Sequence, residues 1–77
     1  MAKPSSIHSG NNTLVKIGNN IRKIRLNKGL SQEALALTSG IDRSYLGGIE
    51  RGEHNVAVIN LEKIAIALDI QIANLFK

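Results

Sequence analysis

The chain has no cysteine and no tryptophan, and it has one proline, one tyrosine and one phenylalanine in 77 residues. Without cysteine there is no disulfide, and such a composition fits a reducing cytoplasm. The soft nitrogen ligands, His8 and His54, are far apart in sequence, so no zinc site is expected. Nor is any cofactor. Pro4 lies near the start, so no later helix is broken by proline. No apolar run reaches the roughly 20 residues of a membrane span, which argues against a membrane partner. The opening segment also lacks the apolar core of a signal peptide.

Acidic residues are missing from the first part of the chain. Lys3, Lys16, Arg22, Lys23, Arg25 and Lys28 all precede the first acidic residue, Glu33. The formal net charge is +4. A basic end of this kind is either an electrostatic footprint for a polyanion or a solvated helix face.

A chain of this length buries only about 60% of its unfolded surface, so a stabilising partner is expected. With disulfide and metal excluded, self-association is the remaining supplement. Residues 1–12 are polar, rich in Ser and Asn, and read as a mobile tail. Residues 13–77 read as one all-α domain.

Leu14, Ile17, Ile21 and Ile24 recur at three- and four-residue steps, which places them on one face of a first helix from about Leu14 to Lys28. Gly29 ends it. Ser31 is a good N-cap for a second helix running to about Ser39, with Leu30 and Leu35 as the apolar staple across the cap. Asp42 caps a third helix running to about Arg51, with Ile41 and Leu46 as its staple. Each is too short to stand alone and must bury Ala34, Leu35, Ile41, Leu46 and Ile49 on a shared core. A fourth helix covers about Val58 to Leu68, with Leu61, Ile64, Ala65 and Leu68 inward and no good cap. A fifth, about Gln71 to Phe76, docks Leu75 and Phe76. Ala57, Ile59, Ile66, Ile70 and Ile72 exceed what so small a core needs; the excess either simply fills the core or, the reading taken here, marks a dimer interface that Phe76 joins.

Two short capped helices joined by a glycine-containing turn form a helix-turn-helix. An α-helix fits the major groove of B-DNA, and a second helix can hold it there against the phosphates. The words IRKIRLNKGLSQ, SGIDRSYLGGIERG and LEKIAIALDI resemble the Xre family, the Cro and phage-repressor type of helix-turn-helix, from about Ile17 to Phe76. DRSYLGGIERGEHN also resembles the small controller proteins of restriction–modification systems.

The resemblance implies a five-helix, all-α, lambda-repressor-like domain that binds double-stranded DNA as a two-fold dimer. It places Arg43, Ser44 and Tyr45 against the bases. Arg43 suits a bidentate pair with guanine N7 and O6. Tyr45 either meets a thymine methyl or sugar–phosphate, or is a partly buried packing residue. The family often places a base-contacting side chain at position 48, where this chain has Gly48 beside Gly47. The pair either lets the helix approach the groove closely, the reading taken here, or relieves crowding against the second helix. Selectivity not read directly would then come from DNA shape.

Phosphate contacts are expected from Gln32, Lys28, Lys23, Arg51, His54 and Asn55, which flank the reading helix and position without specifying sequence. The resemblance pairs Arg25 with Glu50 as a structural ion pair. The function implied is a transcriptional regulator of bacterial or phage cytoplasm and nucleoid. It would bind a pseudo-palindromic operator and act by occlusion or by recruiting RNA polymerase. No residues remain after Lys77 for a ligand-sensing domain, so control by concentration and dimerisation is expected. The alternative is an antitoxin-type module whose apolar C-terminal surface holds a toxin. An enzyme is not expected: no nucleophile–base set, metal set or phosphate loop is present.

Overall fold

The computed structural model describes residues 11–77, and the part of the polar tail from Met1 to Gly10 lies outside the described residues. Among the described residues four α-helices follow one another: α1 (Asn12–Asn27), α2 (Gln32–Ser39), α3 (Arg43–Glu50) and α4 (Val58–Leu68). The fifth expected helix is a 3₁₀ segment, Ile72–Phe76, preceded by Gln71. No helix among the described residues is long and apolar enough to cross a membrane.

α1 begins two residues earlier than the apolar periodicity indicates. Asn11 is its cap, and the Asn11 Oδ1 accepts from the backbone N–H of Thr13 at 2.9 Å and of Leu14 at 3.1 Å. Asn12 therefore belongs to the helix, not to the tail. Ser31 Oγ caps α2 by accepting from Ala34 N at 3.0 Å. Asp42 Oδ2 caps α3 by accepting from Ser44 N at 3.0 Å and Tyr45 N at 3.2 Å. α4 has no side-chain cap, as its sequence predicts. Gly40 closes α2 in the left-handed region (φ 72°), a conformation glycine adopts without steric cost.

The helices share one core. Ile17, Ile21, Leu35, Ile41, Leu46, Ile49, Leu61, Ile64, Ala65, Leu68 and Leu75 are all buried. Ala34, expected inside, is only half-buried, and its neighbour Ala36 is buried instead. α1 packs on α3 and the 3₁₀ segment, while α2 packs on α3 and α4. Asn20 Nδ2 donates to the Leu75 carbonyl at 2.9 Å and fastens the 3₁₀ segment to α1. Only one of the two apolar residues expected to dock there does so: Leu75 is fully buried, whereas Phe76 remains 44% exposed. The tighter 3₁₀ turn carries adjacent side chains to different sides.

One glycine sets the crossing of α1 and α3. A Cβ on Gly18 would run into the backbone of Ile49 and Glu50, with the Glu50 carbonyl oxygen 2.6 Å away. A backbone cannot rotate aside as a side chain can, so Gly18→Ala must push the helices apart. The expected loss is about 3 kcal/mol, at the upper end of ordinary overpacking, measured as a fall in the urea midpoint. An unchanged midpoint would show that the two helices are not held at this separation.

Candidate nucleic-acid interface

α2, the Gly40–Ile41 turn and α3 together form the helix-turn-helix. Ile41 is buried and anchors the turn in the core. The cap at Asp42 fixes where α3 begins, and so where its first side chains stand. Arg43 and Ser44 are exposed there, and neither side chain has a hydrogen bond or ion pair among the described residues. A guanidinium at this place keeps all its donors for an outside partner.

Tyr45 is half-buried and packs against the core, and its ring also meets His54 at a centroid distance of 5.0 Å. It is thus a packing residue at least in part. Helical geometry places Gly48 one turn after Ser44, on the outward side of α3. Gly48 is nevertheless buried. A Cβ there would strike the Nε2–Cδ2 side of the His54 imidazole. Gly47 is covered too: its Cβ would lie 3.2 Å from Arg51 Nη1 and 3.4 Å from Gln32 Oε1. The expectation that these glycines bring bare backbone up to DNA is therefore corrected. Their missing side chains make room for His54, Arg51 and Gln32 of the same chain.

Behind α3 lies a buried ionic cluster. Arg25 Nε donates to Glu50 Oε2 at 2.7 Å and Arg25 Nη2 to Glu50 Oε1 at 3.0 Å, a bidentate pair. The two side chains are 8% and 2% exposed. Arg25 Nη1 also donates to the Leu30 carbonyl at 2.9 Å, and Gln32 Nε2 donates to Glu50 Oε1 at 3.1 Å. The hydrogen bond to Glu50 raises the Arg25 pKa, with burial opposing it. One cluster thus ties α1, the start of α2 and the end of α3. The Gln32 amide, expected at a phosphate, is engaged in it, which leaves the N-terminus of α2 as the local attraction for an anion.

Of the other flanking groups, Lys23, Lys28 and Asn55 are exposed. Arg51 is exposed but holds Glu53, with Nε 2.9 Å from Glu53 Oε2 and Nη2 3.1 Å from Oε1. The Arg51 hydrogen bond holds the Glu53 carboxyl below the usual carboxylate range. A phosphate at Arg51 would have to displace this surface pair, an exchange that costs little. No cluster of metal-binding side chains exists among the described residues.

Gly18, Asn20 and the Glu53 partnership were missed by sequence reasoning. A glycine within an apolar-periodic helix carries a cost of about 1 kcal/mol and was the available signal for Gly18.

On α4, Ile59 is 58% and Ile66 72% exposed. They lie two turns apart on one stripe of α4, with exposed Glu62 and Lys63 between them. Ala57, Val58 and Phe76 are also exposed. Ile70 and Ile72, expected at the same surface, are half-buried against the core, so part of their apolar area serves the fold.

A helix-turn-helix family model matches residues 21–75. Control protein C.MunI from a Mycoplasma species is 42% identical over 67 residues, covering 86% of this chain and 90% of that protein. The crystal structure of the restriction–modification controller protein C.AhdI from Aeromonas hydrophila shares 57% sequence identity at a TM-score of 0.80, over 82% of this chain and 96% of that one. C.Esp1396I bound to a 19 base pair DNA duplex matches at a TM-score of 0.79 and 41% identity, over 86% of this chain and 88% of that one.

Proposed function

The chain belongs to the helix-turn-helix family, of the Xre type, and from that premise we propose that it is a sequence-specific DNA-binding transcriptional regulator, the controller of a restriction–modification system. It binds a pseudo-palindromic operator as a homodimer. The observation that carries the reading is the N-terminus of α3, where Asp42 fixes the helix start and the Arg43 and Ser44 side chains are exposed and have no partner among the described residues. Arg43 reads guanine, and Ser44 and Tyr45 assist. Lys23, Lys28, Arg51 and Asn55 contact phosphates, together with the N-terminus of α2 at Gln32. The relatives named above are control proteins, so the antitoxin reading is not favoured.

The dimer forms through the α4 stripe. Ile59 and Ile66 present apolar area, and a two-fold axis through the stripe can set Glu62 of one copy against Lys63 of the other. Ile66→Glu places a charge in that seam while costing the monomer little, because the site is exposed. The dimer dissociation constant should rise at least about tenfold, the equivalent of one lost apolar side chain. Binding to a two-half-site duplex should fall with it, and binding to a single half-site should not. Sedimentation and fluorescence anisotropy check both. An unchanged dimer would remove the stripe from the interface, and a protein that binds neither duplex would remove the function.

A further inference from the structure

α3 carries a vacancy on its reading side, and the chain fills that vacancy from another element. Side chains on a helix lean toward its N-terminus, so one at position 48 would cover the patch beside Ser44 and Tyr45. Gly48 supplies none. The His54 imidazole occupies the place instead, with its Nε2–Cδ2 side over Gly48 and its ring against Tyr45. His54 nonetheless remains exposed, and neither ring nitrogen has a hydrogen-bond partner among the described residues. The nearby ionic groups, Arg51 and Glu53, are occupied with each other.

We propose that His54 is a specificity-determining residue, which presents its ring to a base edge in the major groove where a side chain at position 48 would otherwise reach. This rests on the DNA-reading function proposed above, and it moves His54 from the phosphate-contacting set to the base-reading set. A neutral imidazole offers one N–H donor and one acceptor nitrogen. Purines present N7 and thymine presents O4 as acceptors in the major groove, whereas cytosine presents only a donor, so the ring N–H selects against cytosine at one position per half-site. Gly48 and His54 then act as one unit. Any Cβ at position 48 would displace the reading group.

The test uses a duplex selected by the wild-type protein and a panel in which each base pair of one half-site is replaced in turn. Affinities are read by fluorescence anisotropy for wild type, His54→Phe and Gly48→Ala. His54→Phe keeps a ring beside Tyr45 and removes both nitrogens. Gly48→Ala keeps the imidazole and displaces it. Wild type should discriminate by about tenfold at the His54 position. Both variants should lose that discrimination, keep the one due to Arg43, and keep the wild-type salt slope. A uniform loss across the panel, with the slope reduced by about 1, would make His54 a phosphate contact and overturn the proposal. So would an unaltered preference in His54→Phe. A wild-type protein that discriminates at no position would instead overturn the function on which the proposal rests.

Discussion

Arg25→Ala should cost the domain about 3–5 kcal/mol, because it strands the Glu50 carboxylate in a site where that side chain is only 2% exposed. A domain of this length holds roughly 4–12 kcal/mol in all, so at least about a quarter of its stability goes. The fall in Tm should be at least about 12 °C. The loss is larger than one hydrogen bond would give, since Arg25 bonds Glu50 twice and the Leu30 carbonyl once. The contrast that isolates the cause is a double replacement. Arg25→Met with Glu50→Leu removes both charges, and it should recover much of the loss because no buried charge then lacks a partner. Calorimetry on the three proteins decides it. An Arg25→Ala protein with wild-type Tm and weakened DNA binding would show that Arg25 contacts DNA, not the scaffold.

Arg43→Ala should leave Tm unchanged and weaken binding to the preferred operator by roughly 1–3 kcal/mol per half-site, which for a dimer amounts to about 2–6 kcal/mol. Arg43 is exposed and its side chain bonds to nothing among the described residues, so their fold does not depend on it. The loss should be confined to sequences carrying the guanine it reads. Binding to unrelated DNA should drop only by the share of one positive charge. Arg43→Lys should not restore the preference, because an ammonium cannot make the planar two-point contact of a guanidinium. Competition titrations with specific and unrelated duplexes separate the two effects. Equal losses on both would make Arg43 a phosphate contact.

The sequence carried much of the fold because the local signals agree. Ser31 and Asp42 stand directly before apolar-periodic runs, and each caps its helix in the structure. Gly40 and the buried Ile41 place the turn. Where reading along the chain fell short, the controlling contact joins distant residues. Gly18 looks like an ordinary weak position in α1 until the backbone of Glu50 is seen against it. Gly47 and Gly48 suggested bare helix surface, yet the residues that cover them come from α2 and from beyond α3. Ile70, Ile72 and Phe76 are all apolar, and composition could not divide them between core and surface. The 3₁₀ turn makes that division by burying Leu75 and leaving Phe76 out. The Arg25–Glu50 pairing rested on resemblance, since nothing in their separation of 25 residues brings them together.

The proposed function rests on direct reading of sequence by the capped start of α3, with Arg43 as the main reading group. Selecting bound duplexes from a random pool at moderate salt tests it most directly, with wild type and Arg43→Ala carried in parallel. Wild type should enrich an inverted repeat with half-sites about one helical turn apart. Each half-site should contain a guanine that the Arg43→Ala protein no longer selects. A wild-type pool with no sequence enriched over background would contradict it, as would an Arg43→Ala pool identical to that of wild type.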